Sequence, residues 1–250
     1  MVRALVEISI NCDMGEAYGI YRVADDRACM PFITHANVAC GFHASDPVVM
    51  QRTVRLAKEH GVKVGAHPGL PDLQGFGRRE MRLTREEITA LVLYQTGALM
   101  AFLRAEGMAL SHIKPHGALY GMAQRDEEVA EAIADAAEAL GAPLFAFADC
   151  AMSRVYARRG LPFICEYYAD LDYGDDGRNI ITREHHAVAP EEAAARVLRA
   201  VSAGMTRALS GKDVPVIAES VCVRSDTPGA VAIARAVHEA LRGRLALAKA

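Results

Sequence analysis

Residues 35–69, HANVACGFHASDPVVMQRTVRLAKEHGVKVGAHPG, decide how the rest of the chain is read. A short strand-like run, His35 to Ala39, is followed by Ser45 before Asp46 and Pro47, which predicts an N-cap with proline in the first helical turn. The amphipathic stretch that follows runs to Gly61, a predicted C-cap. A second strand-like run, Lys63 to Ala66, comes next. Strand, helix and strand in this order imply parallel strands joined by a helical crossover.

The same alternation recurs outward in both directions. Further strands are predicted at Leu5 to Ile10, Ser111 to Lys114, Leu144 to Phe147, Phe163 to Tyr168 and Val216 to Val223. Thr84 with Glu87 forms a capping box for a helix whose inner face carries Ile88, Leu91, Val92, Gln95 and Leu99. Helices are also expected over Asp126 to Leu140 and Pro190 to Leu209, ended by Gly141 and Gly211, and over Thr227 to Leu241. No Pro-, Gly- or Ser-rich linker divides the chain. The expected fold is therefore α/β: a single distorted TIM-like β/α barrel of about seven strands over residues 1–250. A doubly wound open sheet is the alternative, because periodicity does not distinguish closure from openness.

Composition narrows the partners. Of 250 residues, 52% are hydrophobic, enough for a large core, and the net charge is −3 with scattered basic residues. That excludes the basic footprint of a nucleic-acid binder and points to a small-molecule partner. We find no apolar run as long as the ~20 residues that span a bilayer and no signal-peptide cleavage pattern, so no membrane is involved and the cytoplasm is expected. The six cysteines include no CxxC pair and read as buried thiols.

Catalytic residue types gather where strands end, the place at which parallel β/α folds build active sites. The first strand leads into Asn11-Cys12-Asp13-Met14-Gly15-Glu16, whose carboxylates suit a metal, a general base or a cationic partner. The second leads through Asn37 to His43 and the third to His67. With Asp13, these two imidazoles make a candidate divalent-metal set. Each histidine taken alone is more often a hydrogen-bonded structural residue. The loop Asp72 to Arg79 ends in Arg78 and Arg79, either an anion clamp or exposed charge. After the fourth strand, His112-Ile113-Lys114-Pro115-His116-Gly117 sets an ammonium beside an imidazole. Lys114 suits oxyanion stabilisation and His116 proton transfer, since a buried ammonium needs a partner. Glu166, Asp170 and Asp226 follow later strands and complete an acid/base set or act as caps. P-loop, GxGxxG, GxSxG and HExxH motifs are absent, so ATP would have to be used through an atypical site or a partner.

The motifs NCDMGE, NVACGFHASDP, VGAHPGLPDLQGFGRR, YQTGAL and KPHGALY, in this order and covering nearly the whole chain, resemble those of the LamB/YcsF family. The resemblance implies a distorted β/α barrel similar to the glycoside hydrolase and polysaccharide deacetylase superfamily. It also implies the A-subunit role in an ATP-dependent 5-oxoprolinase, which with subunits B and C opens the cyclic amide 5-oxo-L-proline to L-glutamate. Positions carried over by motif are Asp13, Glu16, Asn37, His43, His67, Arg78, Arg79, Lys114 and His116. Two departures stand out. Leu171 replaces an arginine in the family's E-x-F-A-D-R-x-Y pattern, and Arg224-Ser225 replace His-Gly in C-V-H-G-D. Arg224 is expected to supply the charge that Leu171 lacks, or to change the substrate. Two other readings are a stand-alone metal-dependent amide hydrolase or deacetylase, and a ligand-binding component without turnover. A homo-oligomer is compatible with all of them.

Overall fold

Within residues 7–180 and 188–243, which the computed structural model describes, the chain runs β1 (Ser9–Met14), α1 (Asp26–Cys29), β2 (His35–Ala39), α2 (Pro47–Glu59), β3 (Lys63–His67) and α3 (Arg85–Ala105). It continues with β4 (Leu110–Ile113), α4 (Gly117–Arg125), α5 (Glu127–Leu140), β5 (Leu144–Ala146), α6 (Ala151–Arg158) and β6 (Phe163–Tyr168). The hairpin β7 (Asp172–Tyr173) and β8 (Asn179–Ile180), then α7 (Pro190–Ala203) and the hairpin β9 (Met205–Arg207) and β10 (Asp213–Pro215), lead to β11 (Ser220–Val223) and α8 (Ala230–Leu241). Strands β1 to β6 and β11 pair in parallel, and β11 pairs with β1 to close a seven-stranded barrel. Closure settles the architecture as the β/α barrel and removes the open sheet.

Several boundaries differ from expectation, each for a local reason. The first strand is Ser9–Met14, whereas Leu5 and Val6 of the predicted Leu5 to Ile10 strand lie outside the described residues. Asp46, not Ser45, caps α2: its side chain accepts from the amides of Val48 and Val49. Ser45 instead sits in the left-handed region at φ 77°. Helix α7 ends at Gly204, which takes the left-handed cap conformation that glycine adopts without penalty. Residues beyond it form β9, so the helix does not reach Leu209. The last barrel strand begins at Ser220 rather than Val216. Helix α3 corrects the membrane reading: it is long and apolar enough by composition to cross a bilayer. Its inner face, Ile88, Leu91, Val92, Gln95 and Leu99, is buried in the protein, and it packs on α5.

The period-2 pattern of the strands is inverted relative to a simple hydrophobic barrel. Ile10, Cys12 and Met14 of β1 and Ala36 and Val38 of β2 join the apolar layer beneath the helices. The alternate residues Asn11, Asp13 and Asn37 meet one another inside the ring. Successive strand residues point to opposite faces, so a polar set every second residue becomes a polar interior. Gly65 of β3 leaves room there, since a Cβ at this position would collide with the His112 ring.

Two glycines give opposite expectations. Gly65→Ala drives a methyl into a buried ring and should cost about 1–3 kcal/mol. Gly97 lies in the exposed middle of α3 with open space around it, so Gly97→Ala should add about 0.4–1 kcal/mol. Urea unfolding of both variants checks the pair, and a neutral Gly65→Ala would show that the interior yields more easily than its geometry implies.

Candidate active site

Lys114, the first residue after β4, projects into the ring with its side chain 1% exposed. Its ammonium lies 3.0 Å from Asn11 Oδ1, 3.2 Å from Asp13 Oδ1 and 3.1 Å from Glu166 Oε2. An ammonium has three protons, so these three oxygens saturate it. Cys222 Sγ is a fourth neighbour at 3.1 Å, and the Tyr168 ring lies 5.1 Å from the nitrogen. Burial pulls the ammonium toward neutrality, but the Asp13 and Glu166 carboxylates hold its pKa well above the usual lysine value. Asp13 mirrors this. Burial would raise it, yet His67, Lys114 and the Asn37 amide keep it well below the usual carboxylate range.

Asp13 joins this charge row to a group of imidazoles. His67 Nε2 stands 3.4 Å from Asp13 Oδ1 and 3.0 Å from His116 Nδ1. The other nitrogen of each ring is tied to a backbone carbonyl, His67 Nδ1 to Lys114 O at 2.7 Å and His116 Nε2 to Phe76 O at 2.7 Å. Carbonyl oxygens only accept, so both outer nitrogens carry hydrogen. In the neutral rings the two inner nitrogens then face each other as lone pairs. Such a contact calls for a positive centre, either a shared proton or a metal ion. Glu16 Oε1 lies 3.1 Å from His43 Nε2 and 3.4 Å from His116 Nδ1.

Ligand atoms from Glu16, His43, His67 and His116 all fall within 4.8 Å of one another. Outer nitrogens fixed on carbonyls are the usual support of metal-bound histidines, and the donor set fits a divalent ion such as zinc. The group differs from the Asp13, His43 and His67 set expected from sequence. His116 and Glu16 take part, while Asp13 Oδ1 accepts from Asn37 and Lys114. Burial keeps His43 and His116 well below the normal histidine pKa, and nearby imidazoles add to the effect. The two rings stack at 3.7 Å. Glu16 is pushed well above the usual range, chiefly by burial and then by Asp13.

The loop after β3 roofs these rings. Phe76 sets its edge against His43 and His116, and Gly77, at φ 65°, lies so close that a Cβ would come 2.7 Å from His43. Arg79 is engaged by the buried Asp72 carboxylate, which also accepts from the Gly75 amide, so this arginine ties the loop to itself. Arg78 reaches across to Asp226 Oδ2 at 2.5 Å and lies over the Phe76 ring. Loops after β3 and β11 are thereby joined at the mouth.

Arg224 corrects another expectation. Its guanidinium binds Asp170 Oδ2 through Nε at 3.0 Å, and Thr227 donates to the same oxygen. Leu171 is buried beside it in the chain. Arg224 therefore neutralises a buried carboxylate instead of standing in for an absent anion-binding arginine. His112, Ser220 and Cys222 also line the interior and were not singled out from sequence. The available signal was the period of 2 that places His112 on the same face as Lys114.

The LamB/YcsF family model matches residues 8–247. A protein of Bacillus licheniformis named as the A subunit of 5-oxoprolinase is 45% identical over 240 residues, covering 94% of this chain and 95% of that protein. Its namesake from Thermus thermophilus is 48% identical over 241 residues, covering 94% and 96%. The crystal structure of a lactam utilization protein from Thermus thermophilus superimposes with a TM-score of 0.91 at 45% identity, covering 97% of this chain and all of that one.

Two measurements follow from the site. His43, His112 and His116 lie well below the normal value and His35 at about 4, with burial the first cause in each. Unfolded, these rings titrate at ~6.5. Below that pH the unfolded chain binds more protons, so their contribution is complete above about 6.5 and is lost on acidification. Glu16 and Asp26, the latter raised to about 6, act in the opposite sense, two groups against four. The melting temperature of metal-free protein should fall between pH 7 and pH 5; a flat or rising profile contradicts the assignment. Zinc bound at a hundred times its Kd should add about 2.7 kcal/mol, and Glu16→Gln with His116→Ala should abolish that gain. An unchanged melting curve with zinc would favour the shared proton.

Proposed function

The chain belongs to the LamB/YcsF family, and on that premise we propose that it acts, as one barrel domain, as the A subunit of a 5-oxoprolinase. It is a hydrolase for a cyclic amide C–N bond, taking 5-oxo-L-proline to L-glutamate. The names of its relatives support a multi-subunit assembly, with subunits B and C as the partners and the cytoplasm as the compartment. The chain carries no common nucleotide-binding motif, so the reading places ATP use in the complex and not in a P-loop of this chain.

The observation that carries the reading is Asp13: a carboxylate held ionised at the barrel mouth, in contact with the imidazole pair. An unstrained lactam resists hydrolysis, and ATP-dependent phosphorylation of its carbonyl oxygen makes the carbon attackable. Water must then lose a proton. The His67 Nε2 and His116 Nδ1 lone pairs suit that task, and Asp13 stabilises positive charge as it develops on His67. Lys114 does not bind the oxyanion in this account. Its three protons are engaged, and it keeps Asp13 charged. Arg78, paired with Asp226 at the rim, is the guanidinium nearest to the mouth loop that can meet a substrate carboxylate. Glu16, His43, His67 and His116 would hold a divalent ion, which when bound would supply Lewis-acid charge.

A second reading, a stand-alone metal-dependent amide hydrolase, is favoured by the same four-residue cluster. Coupled assays separate the two. Glutamate release from 5-oxo-L-proline should require ATP, this chain and both partner subunits, with loss on each omission. Asp13→Asn should lower kcat by at least ~10²-fold, the usual scale for a lost acid/base group. Turnover by the chain alone without ATP would favour the second reading, and full activity of Asp13→Asn would refute the role given to that residue.

A further inference from the structure

His112, in β4, has a fully buried side chain that touches none of the imidazole group at the mouth. Its ring lies against Gly65 and sets its plane at 82° to Phe145, 4.6 Å away. Nε2 is 2.7 Å from Asn37 Oδ1, and Nδ1 is 3.2 Å from Ser111 Oγ. Asn37 Nδ2 in turn donates to Asp13 Oδ1 at 2.8 Å and to Asn11 Oδ1 at 2.9 Å.

The direction of every bond in this row is determined. Ionised Asp13 only accepts, so Asn37 must turn its amide nitrogen toward it. The Asn37 carbonyl then faces His112, whose Nε2 must carry the hydrogen. Nδ1 is left to accept from the Ser111 hydroxyl. Asn11 uses its carbonyl for Asn37 and Lys114, and its amide nitrogen donates to Glu166 and Ser220. A flipped Asn37 would present oxygen to both Asp13 and Asn11, two repulsive contacts at once.

We propose that His112 is a positioning residue for the reaction: its Nε2–H locks the Asn37 carboxamide, which aims Asp13 between Lys114 and His67. It touches no reacting atom and acts through Asn37. The catalytic part of this inference rests on the 5-oxoprolinase reading.

Two experiments test it. In the assembled complex with subunits B and C, His112→Phe keeps an aromatic ring against Gly65 but removes the donor. It should lower kcat about 10²-fold, the scale of a small misplacement of a catalytic group, with KM changed less than about 2-fold because substrate binding itself is untouched. His112→Gln, which restores an N–H, should recover most of that loss. Asn37→Ala and the Asn37→Ala/His112→Phe double variant should have the same kcat, since both remove one linkage. Full kcat in His112→Phe, or losses that multiply in the double variant, would overturn the proposal. The second experiment needs neither activity nor a variant. Nitrogen-15 NMR of histidine-labelled wild-type chain should find His112 as the neutral Nε2–H tautomer. The Nδ1–H tautomer or an imidazolium would overturn the proposal. If the complex forms no glutamate while this tautomer is found, the reading of function fails and the locked amide stands.

Discussion

A single buried ammonium organises the interior of this barrel. Lys114 brings a full positive charge into a ring of strands, where an unpaired charge would cost several kcal/mol even after relaxation. Asn11 and Asp13 from β1 and Glu166 from β6 meet it. The strands that supply these groups must therefore keep their register to within the length of a hydrogen bond. Removing any one acceptor leaves charge uncompensated, so the row is retained as a unit. The same arrangement keeps Asp13 ionised without exposing it broadly to water.

From that row the polar order spreads in two directions. Toward the mouth, Asp13 touches His67, and the carbonyls of Lys114 and Phe76 orient the two imidazoles so that their free nitrogens converge. Toward the opposite side, Asn37 and His112 fix which atom of each amide faces which neighbour. The loop carrying Phe76, Gly77 and Arg78 shuts over the imidazoles, and its link to Asp226 joins two sides of the mouth. Stability and chemistry are served by the same bonds: the geometry that satisfies buried polar groups also sets the protonation state of the acceptor.

Much of the architecture was legible in the sequence. The runs His35–Ala39 and Phe163–Tyr168 coincide with β2 and β6, and the Thr84 capping box opens α3 as expected. The first strand was misplaced because Asn11 and Asp13 look like loop residues when a barrel interior is assumed to be apolar. Here the interior is polar and the apolar alternates face the helices. Ser45 and Asp46 are both good caps, and only the backbone decides between them. The short hairpins β7–β8 and β9–β10 carry too few residues for a periodic signal. Within the site, Asp13, His43, His67, Lys114 and His116 were recognisable by type and place. Their pairings were not, since hydrogen-bond direction depends on side chains brought together from strands far apart in sequence, as Asn37 and His112 are.

The most direct measurement of the central claim is the state of Lys114 itself. Nitrogen-15 NMR of lysine-labelled protein, with Lys114→Arg for assignment, reports whether the side chain is an ammonium and how fast its protons exchange. The structure predicts a slowly exchanging ammonium that stays protonated beyond pH 10.5, the ordinary lysine value, because Asp13 and Glu166 outweigh its burial. A neutral amine at pH 8 would contradict the account, since Asp13 would then lack the charge that holds it ionised.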